Sequence, residues 1–296
     1  MSTGYFFLFA AFFSFGMLGI FHKVADHPEC RPKMTAMLLP FWGCILSVLY
    51  VMAFDSKGLN FPTGVLVIGS CAGVIAALAL FVFQTALKFG KISTSWLIIN
   101  LASAVPVVLS IVVFKERISA AKISGVLLVF MALVMLWWDK KIDLQKAGED
   151  KAVSGVKARS KWLPLMLLAF FGQGLASSSQ KVLVEAKVAD YVWQFLIVLY
   201  GSGFITIFLL SVMRDSWPNR REWGTALVMA ACSVVGNASM TIAMKTVKGS
   251  IAYPVNNANL VLVVFAGVLF FREKIHPIGI AGIVCGISAI FVLVFA

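Results

Sequence analysis

Lys88-Phe89-Gly90-Lys91-Ile92-Ser93 opens the stretch whose reading decides the fold. It runs on through apolar residues carrying Trp96, Asn100, Ser103 and Pro106, then Phe114-Lys115-Glu116-Arg117-Ile118 and a second apolar run with Gly125. The chain writes this pattern twice. Shifted by 157 positions, Ala86-Leu87-Lys88 meets Ala243-Met244-Lys245, Ser93 meets Ser250, Trp96 meets Tyr253 and Asn100 meets Asn257. Lys115-Glu116-Arg117-Ile118 then meets Arg272-Glu273-Lys274-Ile275, and Gly125 meets Gly282. A gapless match of polar and charged landmarks at one offset marks an internal duplication. At the neighbouring offset of 158, Ala11-Phe12-Phe13 meets Ala169-Phe170-Phe171, Gly16 meets Gly174 and Lys23 meets Lys181, so the duplication reaches the start of each half.

With 60% hydrophobic residues, 13% charged and a mean hydropathy of +0.94 over 296 residues, the chain lies outside the range of soluble domains. Apolar stretches close to the ~20 residues that cross a ~30 Å hydrocarbon core recur throughout. About ten can be read, at 5–21, 34–54, 65–87, 92–114, 123–138, 163–182, 192–213, 224–244, 251–271 and 277–296. Their length and uniform apolarity suit helices, not the short alternating strands of an outer-membrane barrel. The expected fold class is therefore an all-α integral membrane protein of about ten transmembrane helices in the cytoplasmic or inner membrane.

Five spans in a copy is an odd number, so the second copy enters the membrane with the opposite orientation and the two form an inverted repeat. The boundaries expected are 1–138 and 162–296 for the repeats and 139–161 for a polar, basic linker of flexible or surface-lying character. The net charge of +12 resides in loops, where anionic headgroups and the positive-inside rule account for it without nucleic acid. Seventeen of the 25 basic residues fall on the side opposite the chain termini and eight on the terminal side, which places both termini outside the cytoplasm. The first span lacks a basic leader and a cleavage site before His22, so it reads as a mature helix. The partners expected are a small-molecule solute and the bilayer, with the monomer as the functional unit.

Polar groups inside spans are costly in lipid and face a partner or a wet cavity. The ninth span carries Tyr253, Pro254, Asn256, Asn257 and Asn259; the fourth carries Ser93, Trp96, Asn100 and Ser103 on one helical stripe. The third ends with Gln84 and Lys88, and the eighth with Asn237, Thr241 and Lys245. The sixth places Gln173, Ser177 and Gln180 on one stripe, with Ser178 and Ser179 beside it, and Ser177 to Ser179 read as interhelical glue. A membrane asparagine serves as interhelical glue or as a ligand contact; Asn100 and Asn257 share a repeat position beside an aromatic one turn earlier, and they are assigned to the solute. The substrate-binding set is Trp96, Asn100, Ser103, Tyr253, Asn256, Asn257, Asn237, Gln173 and Gln84. Pro106 and Pro254 free backbone carbonyls within spans and suit a hinge. Glu116 and Glu273, each flanked by basic residues at a span end, read as interfacial locks.

No Asp or Glu lies near the middle of any span, which weakens a carboxylate proton relay and a fixed counter-charge for a cation. His22, His27 and His276 stand at loops or span ends without an acidic partner at a usable spacing, so an enzyme is a poor reading and no catalytic residue is assigned. The segment from His22 to Cys30 matches no zinc spacing, and no metal or cofactor is assigned.

On Phe114-Lys115-Glu116-Arg117-Ile118 with Gly125, its copy Phe271-Arg272-Glu273-Lys274-Ile275 with Gly282, the paired ends at Lys88 and Lys245, and Pro106, the chain resembles the drug/metabolite transporter superfamily, in its ten-helix EamA type. The resemblance covers essentially the whole chain. It implies alternating-access movement of a small metabolite or drug through a central cavity lined by the third, fourth, eighth and ninth helices and by the first and sixth. Two departures stand out: Val263 occupies the position matching Pro106, and many members keep both termini in the cytoplasm. Within that frame the expected solute is small, polar and neutral or zwitterionic; a multidrug or toxic-compound exporter and a non-transporting sensor or scaffold are the alternatives.

Overall fold

The computed structural model describes residues 3–25, 29–87, 89, 95, 98–99, 101–102, 104–113, 120, 123–125, 127–128, 131–132, 134–135, 138, 149–211, 217–247, 249–257, 259–270 and 277–295. Its main helices are α1 (Thr3–Val24), α2 (Pro32–Phe54), α3 (Thr63–Leu87), α4 (Ala104–Val112), α5 (Glu149–Glu185), α6 (Val192–Ser211), α7 (Arg220–Met244), α8 (Gly249–Asn257), α9 (Leu260–Leu269) and α10 (Pro277–Phe295). The protein is an all-α membrane protein built as two inverted five-helix repeats. Among the described residues, five helical segments are long and apolar enough to cross a bilayer: Thr3–His22, Met34–Phe54, Thr63–Ala86, Ala189–Leu210 and Arg220–Met244.

Apolar residues cover both surfaces of these helices, and on α1 the bulkiest rings turn outward. On α1 the large rings of Phe6, Phe9 and Phe13 are exposed, whereas Leu8, Ala11, Leu18 and His22 are buried. Small residues bring backbones together in lipid, where no hydrophobic difference favours one apolar face over another.

The packing interlocks the halves. α1 packs on α7 of the other half, and its repeat counterpart α5 packs on α3. α2 packs on α7, as α6 does on α3, while α2 and α6 pack on each other. α1 also meets α9, as α5 meets α4. The inverted symmetry extends to single contacts. A Cβ added to Gly16 would lie 2.8 Å from Leu262 Cδ1, and one added to Gly174 would lie 2.6 Å from Val105 Cγ2 and 2.7 Å from Ala102 O. Gly16 and Gly174, and Val105 and Leu262, are repeat-related positions.

Four expectations change. α1 continues to Val24, so His22 belongs to the helix and is 4% exposed instead of sitting in a loop, with Gln84 and Phe83 of α3 against its ring. Residues 149–161 are helical and continuous with the sixth span, giving α5 37 residues, about 55 Å at 1.5 Å each; a charged sequence with good helix formers needs no burial to stay helical when joined to a formed helix. The ninth span is two helices, α8 ending at Asn257 and α9 beginning at Leu260, with Asn259 in a turn between them. Pro106 lies in the first turn of α4, where an amide hydrogen is not needed, so it starts a helix instead of kinking one.

The two membrane faces are closed by equivalent loop pairs. On one, Arg31 before α2 binds Glu222 in the first turn of α7: Nε, NH2 and the backbone N–H of Arg31 all donate to the carboxylate, at 2.8–2.9 Å. Glu222, whose side chain is fully buried, also accepts from Asn219 N, while Asn219 Oδ1 accepts from Glu222 N, completing a capping box. Arg221 pairs with Glu29 at 2.9 Å. Applying the repeat exchange carries this loop pair to the opposite face, where Lys57 donates to Asp190 O, Lys245 pairs with Asp190 at 2.6 Å, and Gln194 Nε2 donates to Asp55 and to Gly58 O. The first clasp is buried and ionic; the second is mostly exposed.

Candidate functional site

A cavity of about 220 Å³ lies at mid-length of the helices and takes walls from both halves. Its residues come from α1, α3, α5, α7, α8, the α8–α9 junction and the fourth span ahead of α4, at Ile99 and Ala102, and also from α2 and α6, which place Pro40, Tyr200 and Gly203 in its wall. The α2 and α6 contribution was not foreseen. No periodic signal in the seventh span marks Tyr200, because one phenol in an apolar run is also what an interfacial belt requires.

The second half supplies most of the polarity. Gln180 Nε2 on α5 donates to Asn237 Oδ1 on α7 at 2.9 Å. Asn237 Nδ2 donates to Tyr200 OH on α6 at 3.1 Å and to Ser233 O at 2.9 Å, and Tyr200 OH and Ser233 Oγ are 2.7 Å apart. Asn237 thus has its carbonyl and both amide hydrogens engaged. It is the strut that holds three helices in register around the cavity, with no donor left over for a solute.

Tyr253, on α8, donates its hydroxyl to Ser177 O on α5 at 2.8 Å, leaving its buried ring as cavity wall. Ser178 and Ser179 turn their hydroxyls onto Gly174 O and Ala176 O of their own helix, so they are not the interhelical glue expected of them.

The α8–α9 break is different in kind. Asn259 Nδ2 donates to Asn256 O at 2.7 Å, and Asn259 N turns back to the same carbonyl at 3.1 Å in a tightened turn. The side-chain oxygens of Asn256 and Asn259 are buried, in residues 9% and 1% exposed, and have no partner among the described residues. Both residues line the cavity. A buried acceptor left unmade costs about 1–3 kcal/mol, and two at one helix break in a cavity wall mark a place where something else satisfies them. Asn259 was seen only as a neighbour of Asn256; its repeat partner Ala102 is apolar, and comparison of the copies hides it.

The first half presents a more apolar wall, with Leu18, Leu80, Phe83, Ile99 and Ala102. Its polar member is His22, whose Nδ1 lies 3.3 Å from Nε2 of Gln84 behind it, with Phe83 edge-on to the imidazole. His22 occupies the position that Gln180 holds in the other copy, and each reaches to the third span of its own half. The offset that pairs Lys23 with Lys181 would have found it.

Of the residues assigned from sequence, Tyr253, Asn256, Asn237 and Gln173 share the cavity wall, and Gln84 is bonded to its His22. Trp96, Asn100, Ser103, Glu116 and Glu273 lie outside the described residues, as do the side chains of Pro254 and Asn257. Among the described residues no group of three or more His, Cys, Asp or Glu could hold a metal ion.

The family model of EamA-like transporters matches residues 2–138 and 159–295. A solved structure titled only as the crystal structure of a protein has the same fold, with a TM-score of 0.67 at 16% sequence identity, covering 99% of this chain and 96% of that one. None of the curated proteins matches the sequence. With both halves matched by one model of an inverted-repeat membrane carrier, the chain belongs to the EamA-like transporter family.

Proposed function

We propose that the protein moves a small, polar, neutral or zwitterionic metabolite across the cytoplasmic or inner membrane, acting as a monomer that exposes the central cavity to the two sides in turn. One observation carries this reading: two buried amide oxygens without partners stand in the wall of a cavity to which no described carboxylate contributes. A solute rich in N–H or O–H donors supplies what those oxygens lack, and a permanent cation finds no described counter-charge. The expected contacts are Asn256 and Asn259, with Tyr253 and Trp96 as aromatic walls and Gln173, Asn100, Asn257 and Ser103 as further hydrogen-bonding groups. The two clasps are in the right places to alternate as closures, since each joins a loop of one half to a loop of the other at opposite membrane faces.

The apolar first-half wall, with Met240 opposite, favours a second reading, export of lipophilic compounds. Counterflow in proteoliposomes separates the two. Labelled serine, threonine, glucose and uridine are compared with lipophilic cations such as tetraphenylphosphonium and ethidium. Exchange of a polar solute that falls at least tenfold in Asn259→Leu supports the proposal. Exchange confined to the lipophilic cations overturns it in favour of the second reading. No exchange of any solute, with specific binding retained, favours a sensor.

A further inference from the structure

The two copies differ at one cavity position in a way that changes what the site can hold. Gln180 and His22 are repeat equivalents; both are buried, both line the cavity, and both are bonded to the third span of their own half. Glutamine cannot take up a proton near neutral pH and imidazole can. Among the described cavity-lining residues, the other titratable groups are the phenols Tyr200, from α6, and Tyr253, from α8. They are committed to Ser233 with Asn237, and to Ser177 O. α3, which packs on His22, brings Phe83 and Gln84, neither of them charged. The nearest cations along the chain are Lys23, next to it, and Lys88, four residues beyond Gln84.

We infer that His22 is a proton-binding site that couples solute movement to a proton gradient, and that Gln84 is the group that responds to the proton. This rests on the transport reading above. An amide nitrogen only donates, so the 3.3 Å contact makes Nδ1 the acceptor and leaves the neutral ring's hydrogen on Nε2. When the cavity is open to water, a proton adds to the Nδ1 lone pair. Nδ1 then donates, and Gln84 turns its amide so that Oε1 accepts. Gln84 is in the last turn of α3, so the turn acts on the end of a helix that packs on α5 and α6 of the other half. The proton returns to water when the cavity opens on the other side. The proton site is separate from the solute oxygens: Gly16 lies against Asn259, and His22 is six residues further along α1, about 9 Å by helical rise.

The test uses the full chain in proteoliposomes with serine as probe, in wild type and in His22→Gln, which installs the residue of the other copy. With one proton per solute, a gradient of one pH unit supports up to about tenfold accumulation. Wild type is expected to accumulate serine toward that limit. His22→Gln is expected to accumulate none, and the counterflow it retains is expected not to respond to an imposed pH gradient. Full accumulation by His22→Gln, or wild-type counterflow that a proton gradient cannot drive uphill, overturns the inference. If serine does not exchange at all, the transport reading fails for that solute and a solute-free measurement decides. In nanodiscs with ring-labelled histidine, the resonance lost in His22→Gln must shift with pH between about 4 and about 8, and Gln84→Leu must move its midpoint. A His22 resonance that is constant over that range overturns the proposal.

Discussion

Gly16→Ala and Gly174→Ala are the same substitution at repeat-equivalent positions, and the structure sets different outcomes for them. Alanine in place of glycine inside a helix gains about 1 kcal/mol of propensity at either site. At Gly16 the new methyl meets the tip of a flexible side chain, Leu262 Cδ1 at 2.8 Å, and its other neighbours lie at ordinary contact, Leu262 Cβ at 3.5 Å and Asn259 Cβ at 3.6 Å. A rotation of Leu262 relieves the overlap, so the net change is expected within about 0.5 kcal/mol of zero. At Gly174 the methyl meets Val105, whose branched side chain has little rotamer freedom, and the backbone carbonyl of Ala102 at 2.7 Å. Neither can withdraw without moving α4 away from α5. Overpacking costs about 1–3 kcal/mol, and a clash with rigid atoms falls in the upper part of that range, about 2–3 kcal/mol, leaving Gly174→Ala destabilised by about 1–2 kcal/mol after the propensity gain. Unfolding by SDS titration in mixed micelles measures both. Equal destabilisation of the two variants, or a neutral Gly174→Ala, would refute the reading that rigid backbone contact, and not glycine as such, holds the α4–α5 crossing.

Other outcomes follow from the clasps, the network and the turns. Glu222→Ala strands the Arg31 guanidinium and removes a capping box; with the Arg31 side chain one-third exposed, water repays part of the loss, and about 2–3 kcal/mol is expected in the same titration. Arg31→Ala should cost much less in the Glu222→Ala background than alone, and additive effects would show that the pair is not coupled. Asn237→Leu leaves Gln180 Nε2 and Tyr200 OH without their shared partner; a loss of about 2 kcal/mol is expected, against under 1 kcal/mol for Tyr200→Phe, where Ser233 Oγ is a rotor that can turn elsewhere. Lys187 closes α5 with φ of 58°, and Lys187→Gly should stabilise the fold by about 1 kcal/mol; no gain would mean that the lysine side chain has a role of its own. Orientation is read with Ser56→Cys and Trp217→Cys, on opposite faces, because Cys30 is 6% exposed and a poor target for labelling. The loop charges place Ser56 outside, and labelling of only Trp217→Cys in intact cells would reverse that assignment.

What the sequence determined by itself is the architecture. Lys115-Glu116-Arg117-Ile118 and Arg272-Glu273-Lys274-Ile275 reveal a duplication, and an odd number of spans in a copy forces inversion, because each crossing must end on the opposite side. Composition required helices, since lipid offers the backbone no other partner. Polar residues inside apolar runs were legible as a site for the same reason. Their roles were not. Asn237 looked like a ligand group and has both amide hydrogens spent on the fold, while Asn259 passed as a neighbour and holds an oxygen with no described partner. Hydrogen bonds of this kind join residues 37 or 57 positions apart, as between Asn237 and Tyr200 or Gln180, and nothing in local periodicity encodes which amide meets which. The capping box of Asn219 and Glu222 has a sequence signature, yet its tie to Arg31 spans 191 positions. Where a helix ends depends on what its last turn meets: α1 runs past Phe21, and His22, against Gln84 and Phe83 of α3, is a wall of the cavity instead of a loop residue. Tertiary structure decided these points because burial and partner geometry, not residue type, determine whether a polar group is spent on the fold or left for a solute.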